Sequence, residues 1–287
     1  MHRTTLEEMS KAYKELGIRH GDVVHVQSDL RRIGPVDAEM TFEGLCGFHL
    51  KALQQAVGLK GTITCQTSFE DYGRYETPFI VEESPSRTDT LSEYIRQQPG
   101  AIRSLHPIVS VCGIGARAEE ICGGTHYDGY GYLSPWARLH RADAKILSLG
   151  LNKTNGGTSF VHYCEQLFGL PYLYTKIFKA PVYKDGQKIE QPFSMLVRYL
   201  DFAISYDNRR VKQRLTDEGF GREAKTGRTQ SWCISAEDMA ANMMRYFEED
   251  RWVMLANPPK FRAGELPMDG VSGELQVSAD KADEETS

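Results

Sequence analysis

Short apolar, β-branched runs recur along this chain with helix-period segments between them, and that alternation restricts the fold to the α/β class. Residues 4–17 have Leu6, Met9, Tyr13 and Leu16 near one face. Thr4 with Glu7 is the expected capping box, and Gly17 the closure. Strands are expected at 22–27 (DVVHVQ), 61–65, 108–115 (IVSVCGIG) and 145–151 (KILSLGL). Helices are expected at 42–57, at 90–98 with Thr90 and Glu93 capping, after Ser134-Pro135, and at 158–168, 193–206 and 235–249. The helix at 193–206 has apolar positions that suit the core or an interface between subunits. Residues 69–87, rich in Glu, Tyr, Pro and Ser, read as a long functional loop. Asn155-Gly156-Gly157 breaks the chain before the 158–168 helix. A single α/β domain over 1–260 and a polar, disordered tail over 261–287 are the expected organisation.

Composition narrows the function. A net charge of -5 argues against nucleic acid, whose binders carry a basic stripe. Charges interrupt the first seventeen residues, so no signal peptide is expected, and no run reaches the ~18 apolar residues of a membrane helix. The six cysteines are scattered without a Cys-x-x-Cys pair, so neither a metal site nor a disulfide framework is expected. Free thiols in a cytoplasmic protein are the reading that follows.

Three segments carry candidate chemistry. In NGGTSFVHYCEQLF, His162 and Glu165 lie three positions apart and share a helix face. A carboxylate beside an imidazole fixes its tautomer and stabilises the imidazolium, which a general base needs. From spacing alone, an ordinary His–Glu pair on a helix face explains them as well. Thr158, near the helix start, is a candidate donor to developing negative charge. Cys164 points to another face than His162, so a buried thiol is favoured over a Cys–His nucleophile. Arg103, Ser104 and His106 enter a strand, and Ser28, Leu30, Arg31 and Arg32 leave one; both places can bind phosphate oxygens.

Taken in order, these segments resemble the aminoglycoside 3-N-acetyltransferase family. The matching stretches are His25-Val26-Gln27-Ser28-Asp29-Leu30 with Gly34-Pro35-Val36, then Pro99-Gly100-Ala101-Ile102-Arg103-Ser104-Leu105-His106-Pro107. Ser134-Pro135 follows, and then Thr158-Ser159-Phe160-Val161-His162-Tyr163-Cys164-Glu165. The resemblance spans roughly residues 5–185. It implies a central mixed sheet flanked by helices, acetyl-CoA or another acyl-CoA as co-substrate, and no metal. It also implies that Ser28 to Arg32 and Arg103 to His106 hold the pyrophosphate and pantetheine arm, with His162 the base held by Glu165. The sequence departs from the family pattern at Asp29, at Asp37-Ala38 and at Cys65-Gln66-Thr67-Ser68-Phe69.

The expected chemistry is direct transfer in a ternary complex, since an imidazole of ordinary pKa ~6.5 takes a proton from an amine near neutral pH. Glu70, Asp71 and Glu76 are the expected acidic wall for a cationic amino-sugar acceptor. Arg74 and Arg87 would instead favour a nucleotide-linked amino sugar of polysaccharide biosynthesis. A non-catalytic CoA-binding module and a thiol hydrolase built on Cys164 are the readings from other classes.

Overall fold

The strand Val23–Ser28 is the axis of the fold, buried along all but one of its residues. It pairs in parallel with Thr62–Gln66 on one side and Lys145–Leu149 on the other. Beyond Thr62–Gln66 lie Val111–Gly115 and Ile102–Arg103, both antiparallel; beyond Lys145–Leu149 lie Thr229–Ser235 and Arg222–Thr226, also antiparallel. The result is one seven-stranded mixed sheet. A computed structural model describes residues 2–154, 158–200 and 202–262.

Strand side chains alternate between the faces. Val23, Ile146 and Ile234 meet the helices Pro135–Arg141, Phe160–Phe168 and Ala236–Glu249. Val24, Val26 and Leu147 meet Leu6–Glu15, Phe42–Val57 and Thr90–Arg96. Both faces are therefore covered, which explains why the strands read as continuous apolar runs. The three parallel strands end together at Ser28, Gln66 and Leu149, the edge where sheets of this kind place ligands.

Several boundaries differ from the sequence reading. The first helix is capped by Thr5 with Glu8, not Thr4 with Glu7, because Thr4 is drawn into a bridge with Val36. Asp89, not Thr90, caps Thr90–Arg96, with Ser92 as its reciprocal partner. The expected loop 69–87 contains the helix Glu70–Tyr75, pinned where the buried Tyr72 hydroxyl donates to the Ala180 carbonyl at 2.8 Å, and the short strand Phe79–Ile80. The expected helix 193–206 is instead a strand, Phe193–Arg198, antiparallel to Leu173–Phe178. Its apolar residues at 193, 195 and 197 have the period of a strand, and the pairing satisfies its backbone. Asn155 to Gly157, and the tail from residue 263, lie outside the described residues. Among the described residues, no helix is long and apolar enough to cross a membrane.

Candidate active site

The helix Phe160–Phe168 builds the site. Phe160, Val161 and Cys164 are buried in the core that the helix shares with Ala236–Glu249, and burying a side chain such as Phe or Val contributes about 1.5–3 kcal/mol. Gly169, at φ 78°, ends the helix in the left-handed conformation that glycine adopts freely. This anchoring turns His162 outward and Glu165 inward: their side chains are 32% and 1% exposed.

His162 Nδ1 lies 2.6 Å from Glu165 Oε2. With Nδ1–H donating to the carboxylate, Nε2 keeps a lone pair and is the nitrogen able to take a proton. Two hydroxyls complete the carboxylate's shell. Tyr172 donates to Oε1 at 2.5 Å and Tyr206 to Oε2 at 3.1 Å. Burial, with Glu165 beside them, pushes both phenols above their ordinary range, so they remain O–H donors. Neither tyrosine was singled out in the sequence. Tyr172 follows the helix and Tyr206 is 41 residues from Glu165, so helix spacing gives no sign of either.

His162 opens onto a cavity of about 370 Å³. Its walls include Gln66 and Ser68 from the end of a parallel strand, Arg74 from Glu70–Tyr75, Tyr130, and Lys176 and Arg198 from the two-stranded ribbon. Of the expected acceptor residues, Glu70 lines this cavity, paired with Arg74 at 3.2 Å. Asp71 is engaged by Arg87 at 3.3 Å, and Glu76 is the exposed C-cap of its helix; neither is among the lining residues. Ser159 lines the cavity, whereas Thr158 is buried, its Oγ1 accepting from the Phe160 N–H at 3.4 Å.

The residues expected at the CoA phosphates divide into two groups. Arg31 and Arg32 are exposed at the rim beyond Val23–Ser28, and both reach Asp29, at 3.6 and 3.0 Å. Ser28 and Leu30 beside them are buried. Arg103, by contrast, is turned into the protein. Its guanidinium donates to the carbonyls of Thr67 at 2.5 Å, Val81 at 3.3 Å and Ser84, and burial pushes it down to about 10. Ser104 Oγ accepts from Val111 N–H at 2.9 Å. His106 Nε2 donates to the Ser194 carbonyl at 3.0 Å, while Nδ1 accepts from the Ile108 and Val109 amides. Against the expectation that these three hold phosphate, their polar atoms bond within the fold, and none of the three is among the cavity's lining residues.

All six cysteines are free and buried. Burial pushes the Cys164 thiol well above its ordinary value, which removes the thiolate a hydrolase would need. No metal-binding group of His, Cys, Asp or Glu is found among the described residues.

The site thus sets an imidazole 2.6 Å from a buried carboxylate, beside a cavity at the carboxyl edge of a mixed sheet. The aminoglycoside 3-N-acetyltransferase family model matches residues 25–248, and the chain belongs to that family. Aminoglycoside N(3)-acetyltransferase VII of Streptomyces paromomycinus is 24% identical over 273 residues, covering 85% of this chain and 92% of that protein. Aminoglycoside N(3)-acetyltransferase III of a Salmonella species is 28% identical over 274 residues, with the same coverage of 85% and 92%. Solved structures share the fold. AAC-IIIb in binary complex with CoASH superposes with a TM-score of 0.73 at 23% identity, covering 90% of this chain and 100% of that one. AAC-VIa bound to sisomicin superposes with a TM-score of 0.74 at 24% identity, covering 86% and 98%. The family is one of acyl-CoA-dependent acyltransferases acting on amines, and the chain is an enzyme of that class.

Proposed function

We propose that the chain transfers the acyl group of acetyl-CoA, or of another acyl-CoA, to an amino group of an amino sugar of the aminoglycoside kind, with His162 as general base. The observation that carries this is the 2.6 Å contact between His162 and the buried Glu165 at the mouth of the cavity. The thioester supplies an activated acyl carbon. The rest is done by this chain's residues.

His162 Nε2 accepts the proton that the acceptor's ammonium must lose before it attacks. Glu165 offsets the positive charge that then forms on the ring. General base catalysis of this kind contributes about 10²–10⁴-fold, and positioning two substrates in one cavity contributes further. Arg31 and Arg32 suit the CoA phosphates: exposed ion pairs such as those with Asp29 are weak, and phosphate competes well for arginine.

One observation favours a second acceptor, a nucleotide-linked amino sugar. Among the described residues lining the cavity, Arg74, Lys176 and Arg198 carry the ammonium and guanidinium groups that recognise phosphate oxygens. Release of free thiol from acetyl-CoA, followed against a panel of aminoglycosides and nucleotide-linked amino sugars, tests both. Turnover with an aminoglycoside supports the first reading, and turnover only with nucleotide sugars the second. CoA binding without thiol release from any amine would overturn both.

A further inference from the structure

The Glu165 carboxylate is 1% exposed, and a buried charge is costly unless donors surround it. Three donors converge on it, unequally. Tyr172 has Oε1 to itself at 2.5 Å. Oε2 is shared, taking His162 Nδ1 at 2.6 Å and the Tyr206 hydroxyl at 3.1 Å. The Tyr206 ring also stands edge-on to the imidazole, with centroids 5.1 Å apart and planes at 61°.

The segment bearing Tyr206 is fastened independently of the helix Phe160–Phe168. Asp207 N–H donates to the Met254 carbonyl at 2.8 Å, and Ala256 N–H donates to that of Ser205 at 2.9 Å. Arg198 donates to the Ile204 carbonyl at 2.7 Å. Tyr206 therefore arrives at Oε2 on a scaffold of its own.

We propose that Tyr206 and Tyr172 are positioning residues for the transfer reaction, and that Tyr206, by sharing Oε2 with His162, sets the strength and direction of the bond that holds the base. Tyr172 fixes the carboxylate's rotation from Oε1. Tyr206 fixes the ring plane and draws part of the charge on Oε2 away from Nδ1–H. The inference rests on the proposed role of His162 only for its kinetic consequence; the hydrogen-bond arrangement can be tested without any substrate.

Tyr206→Phe keeps the ring and deletes the donor. The first readout is the ¹H resonance of His162 Nδ1–H in the free protein, identified by its loss in His162→Ala. Removing the competing hydroxyl strengthens the Nδ1–H···Oε2 bond, so this resonance should move downfield in Tyr206→Phe. In Tyr172→Phe, where the deleted donor served the other oxygen, it should move less. The second readout is kinetic. Tyr206→Phe should lower kcat about tenfold with the KM for acyl-CoA unchanged within twofold, and should add no further loss in a His162→Ala background. An unmoved resonance in a folded Tyr206→Phe protein would overturn the proposal and leave Tyr206 as ordinary packing. A moved resonance with kcat unaltered would overturn its link to the reaction. His162→Ala retaining most of its activity would refute the base itself, a distinct result, because the resonance in the free protein still reports the arrangement around Glu165.

Discussion

Replacing Glu165 by Gln separates the charge of this carboxylate from its shape. The amide is nearly isosteric, and its oxygen can still accept from His162 and Tyr206. Its NH₂ group then faces Tyr172, whose hydroxyl turns to accept. The hydrogen-bond count survives and the negative charge does not. With His162 Nδ1 at 2.6 Å, an imidazolium formed during transfer is stabilised by the carboxylate by up to about 6 kcal/mol at an effective dielectric constant of ~20, part of which the amide dipole retains. The expected fall in kcat is about 10²–10⁴-fold, bounded above by the whole of the general-base contribution. Stability should fall by about 1–3 kcal/mol, because the second amide N–H and the Tyr172 O–H are left without an acceptor. Glu165→Ala differs: it strands donors that each cost about 1–3 kcal/mol when buried unpaired, and it opens a cavity as well. Thiol-release kinetics beside urea unfolding distinguish the two variants. A folded Glu165→Gln protein whose kcat stays within threefold of the native value would refute the reasoning and leave the pair a structural feature of the helix.

Arg103→Met should cost about 1–3 kcal/mol for each carbonyl left without a donor, measured by urea unfolding: those of Val81 and Ser84 lose theirs, while that of Thr67 keeps the Ser110 hydroxyl; the KM for acyl-CoA of the folded protein should hardly move. Arg31→Ala with Arg32→Ala should raise that KM severalfold, and Asp29→Ala, which frees both guanidinium groups, should lower it; unchanged KM values in both would dismiss them as phosphate ligands. Glu70→Gln should weaken a polycationic acceptor and strengthen an anionic one, seen as opposite changes in acceptor KM. Burial pushes His25 and His106 down to about 3, and His49 and His126 to about 4. The unfolded chain takes up these protons as pH falls through ~6.5 and the folded chain does not, so this contribution is fully present above that pH and declines below it, by about 1.4 kcal/mol per histidine per pH unit. Equal unfolding free energies at pH 7 and pH 5 would contradict it.

Four adjacent strands of the central sheet were legible because they are buried and carry apolar runs such as DVVHVQ and KILSL, whereas the flanking Ile102–Arg103, Arg222–Thr226 and Thr229–Ser235 were not. The ribbon was not, since Phe193–Arg198 is a strand only by virtue of its partner Leu173–Phe178, and a short apolar segment reads equally well as a helix until its pairing is known. The candidate site shows the same division. His162 and Glu165 share one helix turn, so their contact is written into spacing. Tyr172 and Tyr206 reach the same carboxylate through tertiary structure. Arg103 shows the opposite error: an arginine before a strand suggests an anion site, yet whether it meets a ligand or the protein's own carbonyls depends on burial, which local sequence does not record.

Asp29 links these points to function. At Asp29, where the sequence departs from the family pattern, the chain has a carboxylate, and the structure sets it against both arginines at the rim. A charge gained there changes what the rim can attract without disturbing Ser28 or Leu30, which are packed in the core. The His162–Glu165 pair lies on a different element, held by tyrosines that Asp29 does not contact in any described hydrogen bond or ion pair. On the proposed roles, donor affinity and base strength fall to separate groups of residues. On those roles, variation at the rim would retune how tightly the CoA phosphates are held, and variation along the cavity wall at Glu70, Arg74 and Lys176 would retune the acceptor, while the His162–Glu165 pair stays fixed.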